Sequence, residues 1–122
     1  MAPDLPDFKK INAAVEAAGQ VRGRHFTEWV PHLDELRKQR RDDESLTLLL
    51  EIIAAAERAA AIKTMDPPPG YTKRAAVIYR RQRDHLAEVA ILERYLRACP
   101  PGRGDTTVSE RLAKAKQLAD TA

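Results

Sequence analysis

At 122 residues, with a formal charge of +3, 43% hydrophobic and 32% charged residues, the chain has the length and balance of one globular domain with a single core. Its one cysteine, Cys99, excludes an intrachain disulfide and a cysteine-rich zinc site, and the mild basic excess falls well short of a nucleic-acid-binding tail. Good helix formers are abundant, glycines number five, and no stretch alternates apolar and polar residues long enough for a strand, so the expected class is all-α, with about six helices and no sheet.

In chain order, a first helix is expected from about Pro6, which suits a first turn, to Ala18, with Gly19 as its stop and Phe8, Ile11 and Val15 on one face. Residues 21–25, with Gly23 between two arginines, lack helical periodicity and read as a connection. Thr27 caps a second helix, in which Pro31 falls near the first turn and Trp29, Leu33 and Leu36 make the buried stripe. It fades through Lys38, Gln39, Arg40 and Arg41. Asp42 is the expected N-cap of a long third helix reaching Lys63, with Asp43 and Glu44 where the helix dipole favours negative charge. Leu46, Leu49, Ile53, Ala56 and Ala60 form one stripe, and Leu48, Leu50 and Ile52 widen it, which predicts a central helix with neighbours on two sides.

The run from Met65 through Pro67, Pro68 and Pro69 to Gly70 cannot continue a helix and is expected to be extended. A fourth helix then carries Tyr71, Ala75, Ile78 and Tyr79 to about Gln82, and Asp84 caps a fifth that contains Ala87, Val89, Leu92, Tyr95 and Leu96 and stops at Pro100 and Pro101. Thr107-Val-Ser-Glu110 has a capping-box pattern and opens a last helix with Val108, Leu112 and Ala115 inward, fraying beyond Asp120. The apolar core of a signal peptide is lacking, and the most apolar stretch, Leu46 to Ile62, is interrupted by Glu51, Glu57 and Arg58, so a cytoplasmic protein outside the membrane is expected.

Leu36-Arg-Lys-Gln-Arg40 aligns with Tyr79-Arg-Arg-Gln-Arg83 at an offset of 43 residues, and beyond it Leu46 meets Val89, Leu48 meets Ile91 and Leu49 meets Leu92. One supersecondary unit is used twice. With an aromatic at Tyr79, a small residue at Ala76 and Pro100 closing its second helix, the second copy resembles a tetratricopeptide repeat; Glu88 and Tyr95 stand where that family has small residues. The resemblance implies antiparallel helical hairpins in one domain: an N-terminal helix over 7–19, a first hairpin over 27–65, a second over 69–100 and a C-terminal capping helix over 106–120. It also implies a non-catalytic module that receives a protein or peptide partner in a groove lined by the first helix of each repeat.

By that resemblance the groove residues are Lys73, Arg80 and Arg81 from the second copy and Arg37 and Lys38 from the first, all basic and suited to an acidic segment or a carboxyl terminus. In the last turn of a helix such residues also complement the dipole and stay solvated, so a merely solvated face is an equal reading. Trp29 and Tyr71 are candidate aromatic anchors, with core packing as the competing role. Acids interleaved with the Arg clusters weigh against the alternative of a nucleic-acid-binding accessory protein. A homodimer or a larger assembly would equally cover the wide apolar face of the third helix. His25, His32 and His85 lie on separate segments, Ser45 and Ser109 are helix-start residues, and no phosphate-cradling glycine loop is present, so neither catalysis, metal nor cofactor is expected.

Overall fold

Helix ends in this chain are set by local hydrogen bonding, and they divide the residues described by the structure, a computed structural model covering 7–121, into six α-helices. Helix α1 (Phe8–Ala18) starts where the Asp7 carboxylate accepts the Lys10 N–H, and it stops at Gly19; the Pro6 expected in its first turn lies outside the described residues. Arg58 donates to the carbonyl of Ala18, the last residue of the helix, and to that of Gln20 just beyond it. Helices α2 (Val30–Lys38), α3 (Asp42–Lys63), α4 (Pro69–Arg81), α5 (His85–Ala98) and α6 (Thr106–Thr121) follow, consecutive helices from α2 onward lying against each other.

The expectation of no sheet needs a correction. Residues 20–25 form a minimal antiparallel hairpin, β1 (Gln20–Val21) paired with β2 (Arg24–His25). Both central residues sit at positive φ, Arg22 at 50° and Gly23 at 85°, which matches the twist that a two-residue hairpin loop requires. Strands of two residues carry no periodicity to read. The hairpin is fixed from outside: the Trp29 indole N–H donates to the Val21 carbonyl at 2.9 Å, the Arg22 and Arg24 guanidiniums lie over the Trp29 ring, and Arg22 pairs with Glu51 on α3.

Three expected caps also move. A short 3-10 turn (Phe26–Trp29) precedes α2 and is capped by the His25 side chain rather than by Thr27, because the hairpin ends two residues before Thr27. Arg41, not Asp42, occupies the cap position of α3, which leaves Asp42 in the first helical turn with its carboxylate free to pair elsewhere. Asp105 displaces Thr107 as the cap of α6, accepting the Thr107 N–H at 2.8 Å, and that helix continues to Thr121. Asp84 does cap α5, accepting the Ala87 N–H.

The turns α2–α3 and α4–α5 are built alike. Arg40 and Arg83 both adopt left-handed backbone, at φ 55° and 59°, and the following residues, Arg41 and Asp84, have φ and ψ of −91° and 68° and of −90° and 73°. In each turn the latter N–H reaches back to the equivalent carbonyl, Arg41 to Leu36 at 3.0 Å and Asp84 to Tyr79 at 2.9 Å. Two stretches 43 residues apart therefore share conformation as well as sequence.

Helix α3 is the centre of the core, packing against α1, the hairpin, α2 and α4, as its wide apolar face predicts. Leu48, Leu49, Ile52, Ile53, Ala55 and Ala56 are buried on it, while Ala75 and Ala76 on α4 are small enough for close helix approach. Across the far side, Ile91, Leu92 and Tyr95 of α5 meet Val108, Leu112 and Ala115 of α6. Burial pushes the Tyr95 phenol up to about 12, so the hydroxyl that accepts the Asp105 N–H at 3.1 Å is the neutral one.

Asp105 ties this end together, bonding Thr107 through both its N–H and its hydroxyl and pairing with Lys73 at 3.2 Å. Those bonds, Thr107 first, hold its carboxyl below the ordinary aspartate value. A carboxyl lowered in the folded state stabilises fully above its unfolded value of about 3.9 and stops doing so as the pH falls through the lower folded value. Asp105→Ala is thus expected to lower Tm by a few degrees near neutral pH, and the gap to wild type should narrow progressively in thermal melts taken from about pH 4 downward. A gap that persists in acid would place the effect elsewhere than in the charge.

A cleft between α2, α3 and α4

Where α2 and α4 both lie against the start of α3, their side chains do not meet fully, and a cleft of about 320 Å³ remains. Its apolar lining is Leu33 from α2, Leu49 from α3, and Ile78 and Val77 from α4, with Val77 45% exposed although it is a valine in mid-helix. Arg37, Asp34, Arg74, Arg81 and Asp42 supply its charges. Two of the three guanidiniums are matched: Arg74 Nη1 is 2.9 Å from Asp34 Oδ1, and Arg81 Nη2 is 2.7 Å from Asp42 Oδ1. Arg37 has no carboxylate partner among the described residues, so the cleft carries one positive charge in excess. An adjoining recess shares Arg37, Asp42 and Arg81 and adds Arg40, which extends the positive character outward.

Of the five basic residues assigned to a groove, the structure brings Arg37 and Arg81 together in this cleft. Lys38 lies exposed at the end of α2 and lines no part of it. Lys73 faces Asp105 instead, and Arg80 grips Glu88, with Arg80 Nε 2.9 Å from one carboxylate oxygen and Nη2 2.9 Å from the other. The aromatics sit elsewhere. Trp29 is half-buried under the hairpin, and Tyr71 packs edge-on against Phe26 with ring centroids 5.8 Å apart. Burial raises the Tyr71 phenol pKa, and the charge of nearby Arg74 opposes the rise.

No protein-family model, curated protein or solved structure matches the chain.

Function must therefore be read from the residues themselves. Among the described residues no group of three or more His, Cys, Asp or Glu side chains could hold a metal ion, and no helix is long and apolar enough to cross a membrane. Cys99 is buried at the end of α5, and burial raises its thiol pKa, which leaves it a poor nucleophile.

Sequence reasoning does not single out Ser45, Asp34 or Arg74 for the cleft. Asp34 and Arg74 are 40 residues apart and meet only because α2 and α4 both pack on α3. Ser45 is 3% exposed, it lines the cleft, and its hydroxyl has no hydrogen-bond partner. A buried polar atom without a partner is uncommon enough to require a reason. The signal lies in the repeat: one residue before the Leu46–Val89 match, Ser45 stands opposite Glu88.

Proposed function

We propose that the chain is a non-catalytic protein-interaction module of two tetratricopeptide-like helical hairpins, α2–α3 and α4–α5, which receives a partly apolar, acidic segment of another protein in the cleft between the first helices of the two. The single observation that carries this reading is the cleft's chemistry: an apolar lining of Leu33, Leu49, Val77 and Ile78 beside Arg37, whose guanidinium has no carboxylate partner among the described residues. The matched turns 43 residues apart support the hairpin pairing, because identical connections place the following helices alike.

An apolar anchor would supply the hydrophobic part of the affinity, and a carboxylate beside Arg37 would supply orientation and salt sensitivity. Of the arginines in the clusters that a nucleic-acid reading would use, Arg41, Arg80, Arg81 and Arg103 each face a carboxylate of the chain itself. A cation already paired within the chain gains less by displacing phosphate counterions.

Selection of a random-peptide library on the wild-type chain is expected to enrich Glu or Asp beside a leucine-sized residue. Binding of an enriched peptide should weaken with added salt and drop about tenfold or more in Arg37→Glu, the value of a lost charge-assisted hydrogen bond. Peptides without an acidic residue, or affinity indifferent to both salt and Arg37→Glu, would end this reading. Tight binding of an oligonucleotide in the same assay would put nucleic acid in its place.

A further inference from the structure

The second repeat shows what the cleft of the first lacks. Glu88, fully buried, is the fourth residue of α5, and its carboxylate lies between Arg80, second from the end of α4, and Arg111, sixth residue of α6, whose Nε is 2.9 Å away. Each member has a counterpart in the cleft. Arg37 is second from the end of α2, Ser45 is the fourth residue of α3, and Arg74 is the sixth residue of α4. All three line the cleft. The arginine pair is thus repeated, and the carboxylate between them is not: a serine stands in its place, shorter in reach by two bonds, with an unpartnered hydroxyl.

We infer that the cleft is a carboxylate-receiving site, in which a glutamate side chain of the partner polypeptide takes, between Arg37 and Arg74 and against the Ser45 hydroxyl, the place that Glu88 takes between Arg80 and Arg111. This deepens the peptide-binding reading and rests on it. Charge supports the occupant: the cleft's three guanidiniums face two carboxylates, so one further carboxylate brings it to balance. The position also lies in the first turn of α3, where the helix dipole favours negative charge, as it does for Glu88 in the first turn of α5. Arg74 keeps Asp34 at the rim, which holds its guanidinium in place before a ligand arrives. Apolar residues flanking the glutamate would rest on Leu33, Val77 and Ile78.

Ser45→Glu restores from within the group that the partner is inferred to bring. It is expected to raise Tm by roughly 2–4 °C, whereas Ser45→Gln, of equal size and uncharged, should not. The binding probe is a blocked Leu-Glu-Leu tripeptide with Leu-Gln-Leu as its control, followed by NMR of the arginine Nε–H groups. In the wild type Arg37 and Arg74 should respond to the glutamate peptide, at least tenfold more weakly to its glutamine counterpart, and in Ser45→Glu neither should respond. Unfolding or destabilisation of Ser45→Glu, equal affinity for the two tripeptides, or an undiminished response in that variant would each overturn the inference. If library-selected acidic peptides still bind the cleft in any of those cases, only the placement of the carboxylate is wrong. Failure of those peptides as well removes the peptide-binding reading with it.

Discussion

Glu88→Ala is expected to destabilise the chain by about 3 kcal/mol, read as a lower midpoint in urea with an unchanged slope. The residue is fully buried, and its carboxylate faces two guanidiniums from different helices, so removal leaves two cations without their counter-charge. Breaking a buried pair from one side costs about 3–5 kcal/mol. The lower end applies here because the Arg80 and Arg111 side chains are 29% and 24% exposed and can turn partly toward water. Glu88→Gln should cost nearly as much despite its equal size, since the amide would aim N–H donors at guanidiniums that only donate.

The same cluster separates charge balance from packing. Replacing all three members together, Arg80→Met, Glu88→Leu and Arg111→Met, is expected to recover most of the lost stability, because no charge is then left buried alone. Arg80 also donates to the Arg111 carbonyl at 3.3 Å, so it binds the backbone of α6 as well as the carboxylate. A triple variant as unstable as Glu88→Ala would assign the effect to that backbone contact and to shape. In either case the cluster explains how a glutamate is tolerated at a fully buried position: the two arginines that meet it come from α4 and α6, on either side of α5.

Helix content and the repeat are legible in the sequence because both are local. The stripe of Leu46, Leu49, Ile53, Ala56 and Ala60 has helical spacing, Asp84 and the prolines at 67–69 and 100–101 mark helix boundaries, and the Arg-rich turns recur 43 residues apart. Legibility ends where a feature depends on the meeting of distant residues. Asp34 and Arg74, Glu57 and Arg94, and Arg22 and Glu51 are 40, 37 and 29 residues apart, and nothing near either member of a pair announces the other. Of the basic groove expected across Lys73, Arg80, Arg81, Arg37 and Lys38, the first three each face a carboxylate of the same chain. Caps shift for a related reason. Several Asp, Ser and Thr residues compete near each helix start, and the choice among Arg41 and Asp42, or Asp105 and Thr107, follows from where the preceding turn leaves the chain.

Leu92→Ala and Leu49→Ala delete the same atoms at equivalent points of the repeat, yet the first should cost more. Both side chains are at most 1% exposed, and truncating a buried leucine costs about 2–5 kcal/mol, depending on the cavity that remains. Leu92 is 0% exposed on α5, which packs against both α4 and α6, so the space left behind is enclosed and the surrounding atoms lose their contacts outright. Leu49 forms part of the cleft lining, and its removal would enlarge a space already open to solvent, where water replaces some of the lost contact. Urea unfolding is expected to place Leu92→Ala at about 4 kcal/mol and Leu49→Ala nearer 2 kcal/mol. Equal costs would mean that the cleft is closed in solution, with Val77 and Arg37 folded over Leu49, and such a closed site would have to open before any partner side chain could enter.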